Sequence, residues 1–171
     1  MKVLTKEAAR KLAIENKKIM DFFTTGYKAT MDLSDKKTMN DEKVKFNDYV
    51  VNDDFETDPQ YFAAYYYHNK MYKVLRNIYV TPECRGTKAG TELVKYFQAG
   101  LDQDSADFLQ VGVEYTKDTY ARLETWYTRL GFVRDAYPVQ ISPKQSFYSF
   151  YWSNKPFKVI QRSGFSAAVL L

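Results

Sequence analysis

The stretch from Tyr61 to Val80, YFAAYYYHNKMYKVLRNIYV, constrains the fold more than any other part of the chain. Tyrosine and β-branched residues favour extended backbone, and the polar centre His68-Asn69-Lys70 has turn chemistry, so the pattern predicts two antiparallel strands joined by a short hairpin. Beyond Val80 the pattern changes. After the loop TPECRGTKAG, the segment TELVKYFQAGL reads as a helix to about Leu101, FLQVGVEY as a strand, and TYARLETWYTRL as a helix closed by Gly131. FVRDAYPVQI and SFYSFYW then read as two antiparallel strands joined by the turn SPKQ. The order β-β-α-β-α with a closing strand pair predicts a mixed α/β domain.

Upstream, Thr5 is placed to cap one helix with Ala9, Leu12, Ala13, Met20 and Phe23 on its apolar face and Gly26 as its stop. From Met31 to Asp58 the chain turns polar, predicting loops, a short helix and a strand at NDYVV. Asp32, Asp35, Asp41, Glu42, Asp48, Asp53, Asp54, Glu56 and Asp58 outnumber Lys36, Lys37, Lys43 and Lys45 there. The tail from Asn154 offers one last strand, FKVIQ.

Length and composition limit the class of protein. With 171 residues, 45% of them hydrophobic and 17% aromatic, one well-packed domain is expected and global disorder is not. A net charge of +4 without a dense Lys/Arg stripe speaks against a nucleic-acid partner. The single cysteine, Cys84, excludes an internal disulfide, and with one histidine, His68, there is no His/Cys cluster for zinc. No apolar run suits a membrane span and the N-terminus has no signal-peptide core, so a cytoplasmic protein is expected. A homodimer is left open.

The loop from Arg85 to Gly90, RGTKAG, has the makings of an anion site. A helix start presents unpaired N–H groups and the positive end of the helix dipole, and Arg85 and Lys88 add charge. Two glycines four apart are common in ordinary strand-to-helix turns, so the loop alone is a weak motif.

Two segments in order are more specific. IYVTPECRGTKAGTELVKYF resembles the acetyl-coenzyme A loop of the GNAT superfamily of N-acetyltransferases, a strand ending in V-x-P before R/Q-x-x-G-x-G/A and a helix. Ile78 to Val80, Pro82, Arg85, Gly86 and Gly90 match in register. Downstream, WYTRLGF is similar to the family's L-Y-x-x-x-G-F, with Tyr127, Gly131 and Phe132 in place. Residues 60–153 are covered as the acetyl-coenzyme A-binding core, residues 1–58 stand as a variable acceptor-side part, and residues 154–171 as a tail of a single domain.

The resemblance implies a mixed, mainly antiparallel twisted sheet with a central parallel splay, flanked by helices. It implies acetyl-coenzyme A as cosubstrate, no metal, and direct attack by a primary amine of a small molecule or protein. Backbone groups of Ile78, Tyr79 and Val80 would hold pantetheine and polarise the acetyl carbonyl. Amides of Arg85, Gly86, Thr87, Lys88, Ala89, Gly90 and Thr91 would hold the pyrophosphate. Tyr127 would be the general acid for the departing thiolate.

The chain departs from the family in three places. Lys88 replaces the middle glycine, where its side chain either points to solvent and touches phosphate or obstructs the cofactor; flanking Gly86 and Gly90 favour the first. Tyr120 stands where an asparagine normally meets the cofactor arm. No carboxylate lies on the strand from Tyr72 to Val80, leaving Glu114 or a water chain as the base, with a solvated strand-end glutamate as the plainer reading of Glu114. Cys84 and His68 are expected to have no catalytic part. The acidic segment before Asp58 would attract a cationic amine or is ordinary solvated loop charge. A GNAT-shaped binding or assembly module without turnover, and an enzyme acting on aminoacyl-tRNA, are the alternatives.

Overall fold

The computed structural model describes residues 1–30, 44–162 and 165–171. The expected polar loops from Met31 to Lys43, with Asp32, Asp35, Asp41, Glu42, Lys36, Lys37 and Lys43, lie outside the described residues. Two compact units emerge: Met1–Tyr66 with Arg76–Tyr96, and Tyr67–Leu75 with Phe97–Leu171.

The first unit opens with β1 (Lys2–Leu4) and α1 (Lys6–Glu15). Thr5 caps α1 as expected, its Oγ1 accepting from the Ala8 amide at 3.2 Å. The single helix expected through Gly26 is in fact two. Asn16 takes an extended conformation (φ −135°, ψ 104°), and its Oδ1 accepts from the Lys18 amide at 3.0 Å. An asparagine that bonds its own neighbouring backbone ends one helix and starts another, α2 (Lys17–Thr30). Nor is Gly26 a stop. It lies within α2, where an added Cβ would sit 2.4 Å from Phe62 Cε1, so the glycine serves close helix-to-strand packing.

Ile19, Phe23 and Tyr27 of α2, with Ala9 and Ala13 of α1, pack on β2 (Asp48–Val51) and β3 (Tyr61–His68). Phe62 lies at the centre, with Phe23, Tyr27, Tyr49 and Tyr79 all within 6 Å between ring centroids. Each buried ring of this kind contributes about 1.5–3 kcal/mol. β1 pairs antiparallel with β2, and β2 with β3.

The hairpin forms where the sequence places it. β3 and β4 (Tyr72–Val80) are joined through Asn69 and Lys70, both left-handed at φ 56° and 58°. Such a pair gives the turn a twist that matches antiparallel strands.

In the second unit β5 (Phe108–Glu114) runs parallel to β4, in register from Tyr72 opposite Phe108 to Leu75 opposite Val111. That ladder stops at Leu75. α3 (Ala89–Gly100) precedes β5, and α4 (Tyr120–Arg129) comes after it and ends at Gly131 with φ +90°. β6 (Val133–Arg134) and β7 (Val139–Ser142) both pair antiparallel with β8 (Gln145–Trp152), and β8 pairs antiparallel with β5. The strand order is β1-β2-β3-β4-β5-β8-β6, with β7 on β8. One parallel pair in a mainly antiparallel sheet with flanking helices is the fold class expected.

The tail is more structured than its sequence shows. β9 (Phe157–Arg162) meets β10 (Phe165–Leu170) as an antiparallel hairpin, and Phe157, Val159 and Ala168 pack with Tyr72, Phe108 and Tyr151. Only FKVIQ is legible as a strand, because the second strand depends on this aromatic surface.

Candidate functional site

In the first unit, Ile78, Tyr79 and Val80 end β4, with Tyr79 buried in the aromatic core. The Thr81 amide donates to the Gln60 carbonyl at 3.0 Å, and Pro82–Cys84 make one 3₁₀ turn. Arg85 then folds back, its Nε donating to the Val80 carbonyl at 3.2 Å. No other hydrogen bond or ion pair engages its guanidinium among the described residues.

Two left-handed residues shape the loop: Gly86 at φ +83° and Lys88 at φ +68°. Nothing lies within 4 Å of a Cβ built on Gly86, so that glycine answers to backbone conformation and not to crowding. The flanking glycines do not carry the turn by themselves, since Gly90 lies in the first turn of α3 and Lys88 takes the strained position. Lys88 also caps the helix, its carbonyl accepting from the Glu92 amide at 2.9 Å. Thr87 ties the loop together, its amide (3.4 Å) and its hydroxyl both donating to the Cys84 carbonyl. The amides of Gly86, Lys88, Ala89 and Gly90 have no backbone acceptor among the described residues. Such a run of amides at a helix start, beside two cations, suits a phosphate.

In the second unit, Tyr127 lies in α4, buried against Phe132 and Phe150 at ring distances of 5.4 and 5.7 Å. Burial pushes its hydroxyl well above the ordinary tyrosine range, so the phenol holds its proton. No hydrogen bond to that hydroxyl occurs among the described residues. Tyr120 begins α4 and is also buried. Its hydroxyl accepts from Arg134 Nη1 at 2.9 Å, its ring lies between Tyr115 and Tyr148, and Arg134 stacks on Tyr148 at 4.4 Å. Burial is the main reason the Tyr120 hydroxyl is also pushed up, with Arg134 opposing it. Glu114 ends β5, where Oε1 accepts from Gln145 Nε2 at 3.4 Å. Nothing in the sequence pattern singles out Arg134 or Gln145, whose partners are 14 and 31 residues away. His68 sits at the hairpin turn, in contact with Asn69.

The described carboxylates of the acidic segment have partners within the first unit. Asp48 accepts from the Lys6 amide at 2.8 Å, Asp53 pairs with the N-terminus at 3.0 Å, and Glu56 pairs with Lys2 at 2.6 Å. Asp54 accepts from Asn52 and Asp58 from Gln60. Asp48, Asp53 and Glu56 thereby hold the start of the chain.

Among the described residues no His, Cys, Asp and Glu group could hold a metal ion, and no helix is long and apolar enough to cross a membrane. Neither family models nor curated protein sequences match the chain. Solved structures do. An aminoglycoside 6′-N-acetyltransferase complexed with coenzyme A superposes with a TM-score of 0.59 at 12% identity, over 83% of this chain and 94% of that one. A Desulfovibrio desulfuricans protein assigned to the GNAT acetyltransferase family superposes with a TM-score of 0.52 at 17% identity, over 62% of this chain and 67% of that one. This chain has the fold of the GNAT acetyltransferases.

Proposed function

We propose that the chain is an N-acetyltransferase that moves acetyl from acetyl-coenzyme A to a primary amine by direct attack. The observation that carries the reading is the loop from Arg85 to Gly90, with its unsatisfied amides and left-handed Gly86 and Lys88, in a chain of this fold. The amides of Gly86, Lys88, Ala89 and Gly90 would bind the pyrophosphate, with Arg85 and Lys88 adding charge. Main-chain groups of Ile78, Tyr79 and Val80 would receive the pantetheine arm and polarise the acetyl carbonyl, with Tyr120 lining the arm.

In the reaction the deprotonated amine attacks the thioester carbon, a C–N bond forms and the C–S bond breaks. Sulfur leaves as thiolate and takes its proton from the Tyr127 hydroxyl, which burial keeps protonated. The proton lost from the ammonium goes to Glu114 or along a water chain. The single cysteine accords with the cytosol as its compartment.

Calorimetric titration with acetyl-coenzyme A tests the reading, and no binding at high micromolar cosubstrate would sink it. A protein that binds acetyl-coenzyme A but transfers acetyl to no amine in a screen with labelled cosubstrate would instead be a GNAT-shaped binding module.

A further inference from the structure

In the second unit the β5–β8 sheet has one face packed under α4, where Tyr127 meets Phe150 and Tyr120 meets Tyr148. The opposite face is covered only in part. There the β9–β10 hairpin packs on Phe108 and Tyr151, at the start of β5. Towards the end of β5 the register sets Gly112 beside Ser149 and Glu114 beside Phe147, with Val139 of β7 on the far side of Phe147.

This part of the face is open and largely apolar. Gly112 is exposed and Val139 is 47% exposed. A Cβ on Gly112 would lie 3.3 Å from the Phe147 ring, so the bare glycine lets that ring lie over the strand. Glu114 is the carboxylate at the end of β5, whereas Asp135, whose amide donates to the Ser149 carbonyl, is buried. The partner of Glu114 is the neutral amide of Gln145, and no cation pairs with that carboxylate among the described residues, unlike Asp53 and Glu56, which hold ion pairs.

We infer that this face receives the acceptor, and that the acceptor is a primary amine on an aromatic or aliphatic body. The ammonium meets the Glu114 carboxylate, whose charge it complements, and the body lies on Phe147 and Val139. A polyhydroxylated or multiply charged amine gains nothing from the apolar surface and leaves its own polar groups without partners. This inference rests on the acetyltransferase reading.

The test measures thiol release from acetyl-coenzyme A by the full chain with phenethylamine, spermidine and kanamycin as probes. Phenethylamine should show a kcat/KM roughly tenfold or more above the other two. Phe147→Ala and Val139→Asp should each raise its KM by roughly tenfold while leaving the Kd for acetyl-coenzyme A unchanged, and Phe147→Leu should restore most of the loss. Val139 is exposed, so its variant keeps the fold, which circular dichroism verifies. A preference for spermidine or kanamycin, unchanged KM in both the alanine and aspartate variants, or no acetylation of phenethylamine by protein that binds acetyl-coenzyme A overturns the inference. Failure to bind acetyl-coenzyme A is a different result, which removes the acetyltransferase reading and this inference with it.

Discussion

Arg85 Nε donates to the Val80 carbonyl at 3.2 Å, tying the loop that offers free amides to the end of the strand before it. One side chain therefore sets the position of both parts of the proposed cosubstrate site. Arg85→Ala should weaken acetyl-coenzyme A binding by roughly tenfold, as expected for a lost charge-assisted hydrogen bond. Arg85→Lys should fall between the two, because an ammonium keeps the charge but cannot hold Val80 and phosphate through one planar group. Equal affinity of wild type and Arg85→Ala in calorimetry would remove the guanidinium from the site.

Lys88 sits at φ +68°, which strains any residue with a Cβ. A left-handed residue of that kind costs about 1–2 kcal/mol, and a glycine gives back about 0.5–1 kcal/mol through its freer unfolded chain. Lys88→Gly should therefore raise the melting temperature by about 1–3 °C, and Lys88→Val should lower it. Acetyl-coenzyme A should bind the glycine variant with similar affinity at high salt and a shallower salt dependence, since one cation is gone. A lower melting temperature in Lys88→Gly would contradict the strain.

Tyr127 is a buried residue, and no hydrogen bond engages its hydroxyl among the described residues. Removing it breaks no structural bond. Tyr127→Phe should keep its stability and its affinity for acetyl-coenzyme A while losing on the order of 10²–10⁴ in turnover. Because burial raises the folded-state pKa, the phenol stays protonated through neutral and mildly alkaline pH, and the wild-type rate should show no alkaline loss assignable to Tyr127 below about pH 10. Unchanged turnover in the phenylalanine variant would exclude Tyr127 as the acid.

Lys73 and Asp104 form a nearly buried pair, with Nζ 2.7 Å from Oδ2 and the Tyr67 hydroxyl donating to the same oxygen at 2.9 Å. Burial pushes the Asp104 carboxyl up, but the hydrogen bonds from Lys73 and Tyr67 outweigh it, and the group ends below the ordinary aspartate range. A carboxylate whose folded pKa is depressed contributes stability above its unfolded pKa of about 3.9 and loses it as pH falls through the folded value. Asp104→Asn should cost about 1–3 kcal/mol at neutral pH, by removing the negative charge beside the Lys73 ammonium. In melts taken from pH 7 downward, the gap between wild type and Asp104→Asn should close below about pH 4; a gap independent of pH would mean that the carboxylate charge is not what stabilises.

Patterns carried by neighbouring residues were open to reading in one dimension. The Asn69-Lys70 turn, the cap at Thr5, the stop at Gly131 and the RGTKAG loop are each fixed by bonds or dihedrals spanning a few residues. The order of strands and helices came from them. The exceptions differ in cause. Asn16 could as easily have continued a helix; its extended backbone and the bond from the Lys18 amide to its Oδ1 make it a break instead. Gly26 looks like a terminator until Phe62, 36 positions further on, is found against it.

The candidate site divides in the same way. The residue types that suit phosphate and proton transfer, from Arg85 to Gly90 and at Tyr127, are present in the sequence as such. Tertiary structure decided that Lys88 itself takes the left-handed position, that the Tyr120 hydroxyl is occupied by Arg134, and that Asp48 and Asp53 bind the start of the chain while Glu114, among the described residues, meets Gln145. Local chemistry determines what each residue is able to do. Which partner it meets depends on contacts between residues far apart in the chain, and that alone determines which of those abilities remain free.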